Sequence, residues 1–184
     1  MIHQSAGAQN TDATLQAAFE FAKSRKIRTV VVASTRGQTG IQAAEMGAQQ
    51  GIGVIVVTHN AGFETAGEQQ LEVEARRRIQ AAGARVHTGT LVLRGVGSAI
   101  RKKFGASEEE LIASVLRLFG QGMKVCVEMS AMVADAGLVP APEDVVCVAG
   151  TSSGADTAVL ISPAPSNKFF DIKIRELIAK PGAF

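Results

Sequence analysis

The sequence predicts a doubly wound α/β fold: a mostly parallel sheet covered by helices, with one antiparallel return strand. Three observations carry this expectation. The segments Arg28–Ala33, Gly53–Thr58 and Asp144–Ala149 contain unbroken apolar runs without polar alternation, the pattern of strands buried on both faces in a parallel sheet. Helical periodicity alternates with them along the chain. Ala158-Val159-Leu160-Ile161 follows the last of these runs too soon for a helical crossover, so it must pair antiparallel.

The elements follow in order. Residues 1–9 are a polar, small-residue lead-in with Ile2 as its only anchor. Asn10-Thr11-Asp12 offers N-cap side chains, and Leu15, Ala18, Phe19 and Ala22 continue at helical spacing. Lys23-Ser24-Arg25-Lys26 places positive charge at that helix's end. The first strand leads through Ser34-Thr35-Arg36-Gly37-Gln38 into a helix from about Thr39 to Gln50. Its small residues Ala43, Ala44, Gly47 and Ala48 permit close approach to the sheet. His59-Asn60-Ala61-Gly62-Phe63 leaves the second strand. A helix over Glu68–Ala82 turns Leu71, Ala75, Ile79 and Ala82 inward, with Gly83 as its cap, and Ala84–Thr88 is a shorter strand.

Gly95-Val96-Gly97 opens a helix ending near Phe104. Ser107 with Glu110 forms a capping box, and Leu111, Ile112, Val115, Leu116 and Phe119 make one helical face. Met123–Gly137 reads in two ways. Val125-Cys126-Val127 suits a strand; as a helix, Val125, Met129, Met132 and Ala136 share one face while Lys124, Glu128 and Asp135 share another. Gly137 and Pro140 terminate the helix sensibly, which favours it. Pro163–Asp171 is a loop, and the tail Ile172–Ala179 is expected as a short helix, with a strand as the alternative.

Composition narrows the function classes. At 184 residues, 46% hydrophobic and 20% charged, the chain suits one domain over 1–184 with a sizeable core. Net charge is only +2. The basic runs Arg76-Arg77-Arg78 and Arg101-Lys102-Lys103 fall on solvated helix faces, and no Trp or Tyr is present to stack bases, so nucleic acid is not an expected partner. Met1-Ile2-His3-Gln4 has neither the basic start nor the apolar core of a signal peptide. No apolar run approaches the roughly 18 residues needed to cross a bilayer. Cys126 and Cys147 sit among valines, as buried reduced thiols do. A cytoplasmic protein with no membrane contact is expected.

Two loops concentrate the chemistry. Ser34, Thr35, Arg36, Gly37 and Thr39 lie where a strand ends and a helix begins, so hydroxyls, one cation and a helix N-terminus converge as they would on a phosphate. An ordinary capped βα turn is the bland alternative. It is neither a Walker loop nor a G-x-G-x-x-G fingerprint, and Gly95-x-Gly97 is an incomplete one. The second loop, Thr151-Ser152-Ser153-Gly154-Ala155-Asp156-Thr157 after Gly150, has similar chemistry plus a carboxylate and also leaves a strand's carboxyl end; a tight hairpin is its alternative. His59 ends another strand. The histidines and cysteines lack metal-ligand spacing, so no metal is expected. The strip Lys124, Glu128 and Asp135 reads as catalytic or, more commonly, as an internal salt-bridged face. No catalytic constellation is legible, which leaves enzymatic activity open.

Several segments resemble the stand-alone relatives of the pyruvate kinase C-terminal α/β domain. They are Gly7-Ala8-Gln9-Asn10-Thr11, Val31–Thr39, Val57–Phe63, Leu118–Glu128, Ala134–Gly137, Gly150–Ala158 and Asn167–Asp171, with Gly154-Ala155-Asp156-Thr157-Ala158 and Phe169-Phe170-Asp171 the more specific. The resemblance implies a three-layer α/β/α sandwich. In pyruvate kinase a similar loop holds a sugar phosphate effector, and the stand-alone relatives are associated with flavin mononucleotide (FMN). Carried over by position, Ser34, Thr35, Gly37 and Thr39 would meet phosphate. Thr151, Ser152, Gly154, Asp156 and Thr157 would line the other wall, with Asn10, Thr11 and His59 nearby. Two departures stand out: Ser5-Ala6 replaces the relatives' Lys-Pro, and Arg36 replaces a tyrosine or small residue. The kinase's catalytic barrel has no counterpart, so pyruvate kinase activity is not implied.

The expectation is therefore a phosphorylated small molecule, FMN first, bound at the carboxyl edge of the sheet by a protein that homo-oligomerises. The alternatives are a sugar-phosphate-sensing module acting through a protein partner, and a flavoenzyme using His59 and Asp156 as acid–base groups.

Overall fold

The structure, a computed structural model, describes residues 1–140 and 143–184. Its elements are β1 (Ile2–Ser5), α1 (Thr11–Ser24), β2 (Thr29–Ala33), α2 (Gln38–Gln50), β3 (Gly53–Thr58), α3 (Val73–Ala81), β4 (Arg85–Thr88), α4 (Gly95–Phe104), α5 (Glu108–Arg117), α6 (Gln121–Asp135), β5 (Val145–Ala149), β6 (Thr157–Ser162) and β7 (Lys173–Ala183). The sheet runs β1-β7-β6-β5-β2-β3-β4. Every pairing is parallel except those of β6, which is antiparallel to both neighbours. The mostly parallel sheet with one return strand is thus as expected.

The apolar runs are buried on both faces because successive residues point to opposite layers. Val30, Val32, Val54, Val56, Val146 and Val148 pack with α1, α2 and α3, whereas Val31, Ile55, Val57, Val145 and Cys147 pack with α6. Gly47 lets α2 lie close: a Cβ there would sit 2.4 Å from Val54 Cγ2 and 2.7 Å from the Ile52 carbonyl. Met123–Gly137 is helical, and α6 is buried along nearly its whole length because α5 packs across its outer side. No helix among the described residues is long and apolar enough to cross a membrane.

Four local expectations are corrected. The polar lead-in forms β1, an edge strand pairing Ile2 with Lys180 and His3 with Pro181. Ile2 is exposed and anchors nothing; His3 turns inward instead, its Nε2 2.9 Å from Thr14 Oγ1. The tail is strand β7, not a helix. Register shifts opposite Ala158/Val159 and Leu160/Ile161 break its two-residue period, so Ile174, Leu177 and Ile178 fall at spacings that mimic a helix. The helix expected from Glu68 begins only at Val73, because Gln69 and Gln70 are held at the end of β3 by His59. The apolar face of α5 is only half inward: Leu111, Val115 and Phe119 remain exposed, since α5 rests on α6 rather than on the sheet.

Cys126 and Cys147 are fully buried in the α6 layer, and burial pushes both thiols up from their ordinary value. A thiol-reactive chromogenic reagent is therefore expected to titrate neither cysteine at pH 8 until denaturant is added, and two per chain afterwards. Stoichiometric reaction of the native protein would contradict this placement.

Candidate ligand-binding crevice

Strand β2 sends its chain through α2 to β3 on one side, while its other neighbour, β5, turns back into β6. The loops that follow β2 and β5 therefore diverge, and a crevice opens between the carboxyl ends, where open α/β sheets receive ligands. Its volume is about 750 Å³.

One wall is the loop after β2. The Ser34 N–H donates to the Val57 carbonyl at 2.9 Å, and Ser34 Oγ accepts from the Gly40 N–H at 3.1 Å. Ser34 thereby secures the first turn of α2. Gly37, at φ +116°, supplies no side-chain cap, so the N–H groups of Gln38 and Thr39 are left open, as at any helix start. Thr35, Arg36 and Thr39 line the crevice in front of them.

The opposite wall is the loop after β5. Asp156 is fully buried beneath it and accepts three hydrogen bonds. The donors are the Gly7 N–H at 3.0 Å, the Thr151 N–H at 3.1 Å and the Thr157 hydroxyl at 2.8 Å. The Ala155 N–H donates to Thr11 Oγ1 at 3.0 Å, and that hydroxyl donates to the Ala8 carbonyl at 2.6 Å. Gly154 permits this seam, since a Cβ there would lie 2.4 Å from Thr11 Oγ1. Ser152 adopts φ +65°, an uncommon conformation for a residue with a side chain. Ser152 and Ser153 stand exposed at the crevice.

The third side is His59 after β3. Its Nδ1–H donates to Gln70 Oε1 at 2.7 Å, and its ring stacks on Phe63 with centroids 3.8 Å apart. The Arg94 guanidinium lies 4.6 Å from the centre of the Phe63 ring, an attractive cation–π geometry.

The crevice thus brings together Thr11, Ser34, Thr35, Arg36, Thr39, His59, Ser152, Ser153 and Gly154. It does not include Asn10, Gly37, Thr151, Asp156 or Thr157. Asn10 turns back to donate to the carbonyls of Ser5 and Gly7 at 2.7 and 3.2 Å instead of capping α1 with its side chain. Asp156 fastens loops from beneath and presents no accessible acid–base group. Thr157 is buried in β6, and the Thr151 hydroxyl is buried without a partner among the described residues. Sequence reasoning missed Arg94 and Gln121, which line the crevice from the third layer, and it named Phe63 without a role. Nothing in their local spacing marks them, because each comes from a segment remote from both loops.

A narrower chamber of about 80 Å³ continues inward and shares Ser34, Thr35, His59, Arg94 and Gln121 with the crevice. Lys124 and Glu128 line it, their side chains 2% and 4% exposed, with Nζ 2.5 Å from Oε2. Glu128 Oε1 also accepts the Leu93 N–H at 2.7 Å. Asp135 is not part of this pair; it accepts the Ser166 N–H at 2.8 Å. Among the described residues, no three His, Cys, Asp or Glu side chains cluster as metal ligands would.

Fold and crevice together define an open α/β domain with a polar, hydroxyl-rich cleft at its switch point. The family model for the pyruvate kinase alpha/beta domain matches residues 12–161, and the chain belongs to that family. Among solved structures, it is similar to a pyruvate kinase from Cryptosporidium parvum at 14% identity, over 84% of this chain and 23% of that one, with a TM-score of 0.45. The ADP complex of the Cryptosporidium parvum enzyme matches at 14% identity, 82% and 22% coverage and a TM-score of 0.42. An O-ureido-L-serine synthase matches at 19% identity, 76% and 50% coverage and a TM-score of 0.34. The chain spans about a quarter of the length of the pyruvate kinases it matches.

Proposed function

We propose that this chain binds a phosphorylated small molecule, FMN first among them, with the phosphate between the loops that follow β2 and β5. One observation carries the reading. The hydroxyls of Thr35, Thr39, Ser152 and Ser153 and the guanidinium of Arg36 converge on the crevice without a partner among the described residues, beside the open N–H groups that start α2. Unpartnered donors at a helix N-terminus fit a phosphate monoester. The crevice volume lies within the ~300–1,000 Å³ usual for cofactor sites, and the His59–Phe63 stack offers a flat ring something to lie against. Thr35, Arg36, Thr39, Ser152 and Ser153 would hold the phosphate. Once bound, a flavin would supply hydride or single-electron transfer; the chain's own residues would bind and orient it.

The test is the visible spectrum of the purified protein after FMN is added and the excess is removed by desalting. The polypeptide does not absorb in the visible, and with no Trp or Tyr its near-ultraviolet background is low as well. We expect retained colour at near one flavin per chain. Thr35→Val with Thr39→Val is expected to weaken binding at least tenfold, about 1.4 kcal/mol. Unchanged affinity in that double variant would remove the first loop from the site. Calorimetry with a sugar phosphate is the companion arm: binding there without flavin binding would move the reading to a phosphate-sensing module.

A further inference from the structure

The inner chamber holds a charged pair that phosphate binding in the outer crevice does not use. Burying a lysine and a glutamate together gains little over an apolar pair and is strongly unfavourable if either is left alone. Each carboxylate oxygen of Glu128 is occupied, one by Lys124 Nζ and the other by the Leu93 N–H. Lys124 is not saturated in the same way. An ammonium carries three hydrogens, yet Glu128 is its one acceptor among the described residues, while the side chain lines a cavity and is shut off from bulk water. Two donor positions on a buried cation thus face the chamber, with no second acceptor among the described residues.

The charges around the chamber say what kind of acceptor fits. Lys124 is balanced by Glu128, and Arg117 pairs with Glu110 at 2.9 Å while also donating to Gln121. Arg94 lines the same chamber and, among the described residues, has no carboxylate within ion-pair distance. Its charge is near enough to Lys124 to disfavour a second cation there. Arg94 is also exposed to solvent, and Glu110 is shared between Arg117 and Arg101 at 3.9 Å, so the charge at the chamber mouth is positive on balance and suits an anion. The chamber's volume of about 80 Å³ is that of two or three waters at ~30 Å³ each. A planar carboxylate offers two oxygens, one for the spare hydrogens of Lys124 and one for the arginine fork.

We propose that this chamber is a carboxylate subsite, in which Lys124 and Arg94 receive the carboxylate of a small organic acid or of a phosphorylated organic acid whose phosphate occupies the outer crevice in place of FMN, which carries no carboxyl group. The subsite does not require the outer crevice to bind FMN, or phosphate at all.

The probe is ¹³C-labelled acetate, titrated into the full chain and followed by NMR linewidth and shift, with inorganic phosphate as a second, separate probe. We expect saturable acetate binding that is weakened at least tenfold in Arg94→Met. The same loss is expected in Lys124→Met combined with Glu128→Gln, a pair chosen so that no unpaired charge is buried and the Leu93 N–H keeps its acceptor. Absence of saturable binding, indifference to both the Arg94 and the Lys124 variants, or one-for-one displacement by inorganic phosphate would each overturn the subsite. Phosphoglycolate separates the two sources of carboxylate. Binding more than tenfold tighter than either probe alone assigns phosphate and carboxylate to one molecule, whereas acetate-like affinity assigns the chamber to a separate small acid.

Discussion

Replacing Asp156 with Ala is expected to lower the unfolding free energy by about 3–5 kcal/mol, the largest effect of any single change in the loops around the crevice. The carboxylate is fully buried and is met by two backbone N–H groups and one hydroxyl. Removing it leaves the Gly7 and Thr151 N–H groups and the Thr157 hydroxyl without their acceptor, at about 1–3 kcal/mol for each group that stays dry. Some relief by water keeps the sum below the simple total. At roughly 2–4 °C per kcal/mol for a chain of this size, the melting temperature should fall by about 6–20 °C. Urea denaturation gives the direct reading: a lower midpoint with an unchanged slope. Asp156→Asn keeps the shape and one acceptor oxygen, and should recover part of the loss. A change under about 1 kcal/mol in Asp156→Ala would show that the Gly7 loop and the Thr151 loop are not fastened through this residue. Ligand affinity should fall with stability, because the same carboxylate sets the path of the Ser152-Ser153 loop.

Lys124→Met alone is expected to cost a similar amount, about 3–5 kcal/mol, for a different reason. It leaves the Glu128 carboxylate buried with only the Leu93 N–H as partner, and an uncompensated interior charge is strongly destabilising. Adding Glu128→Gln removes that charge while retaining the acceptor for Leu93, so the double variant should regain most of the loss. Failure to regain it would mean that Lys124 acts through packing rather than charge. A pH series provides an independent reading. Burial holds the Lys124 ammonium below the ordinary lysine value of 10.5; the ion pair with Glu128 opposes this, and Arg117 and Arg94 reinforce it. The unfolded chain therefore binds this proton more tightly than the folded one. Between the lowered value and 10.5, stability contributed by this residue rises with pH. That rise should be present in the wild type and absent from the double variant.

These residues also mark the border between what the chain discloses locally and what it does not. The central strands were legible because burial on both faces demands continuous apolar runs, a signal few other structures produce. The helix at Glu108 was legible because Ser107 Oγ accepts the Glu110 N–H at 3.2 Å, as the spacing of the capping box implies. The direction of β6 was legible because seven residues from Gly150 to Asp156 cannot hold a crossover helix. Those are local constraints, and local constraints leave local marks.

Tertiary structure alone decided the rest. β1 and the end of β7 pair through backbone groups at opposite ends of the chain, and backbone pairing imposes no side-chain alternation on an exposed edge. Asp156 sits in a loop rich in hydroxyls and glycines and so reads as a ligand group, yet one of its donors, Gly7, lies 149 positions away and draws it beneath the loop. Lys124 and Glu128 read as an internal salt-bridged face or a catalytic strip, and only the fold, in which α5 covers α6, closes them into a chamber with Arg94 and Arg117. The sequence by itself determined which apolar runs had to be buried and, for the central strands and the periodic helices, in what secondary structure, because the hydrophobic effect acts on every residue according to type. Which polar groups turned inward was decided by partners distant along the chain, because a buried charge or hydrogen-bonding group is stable only where the folded chain delivers its counterpart.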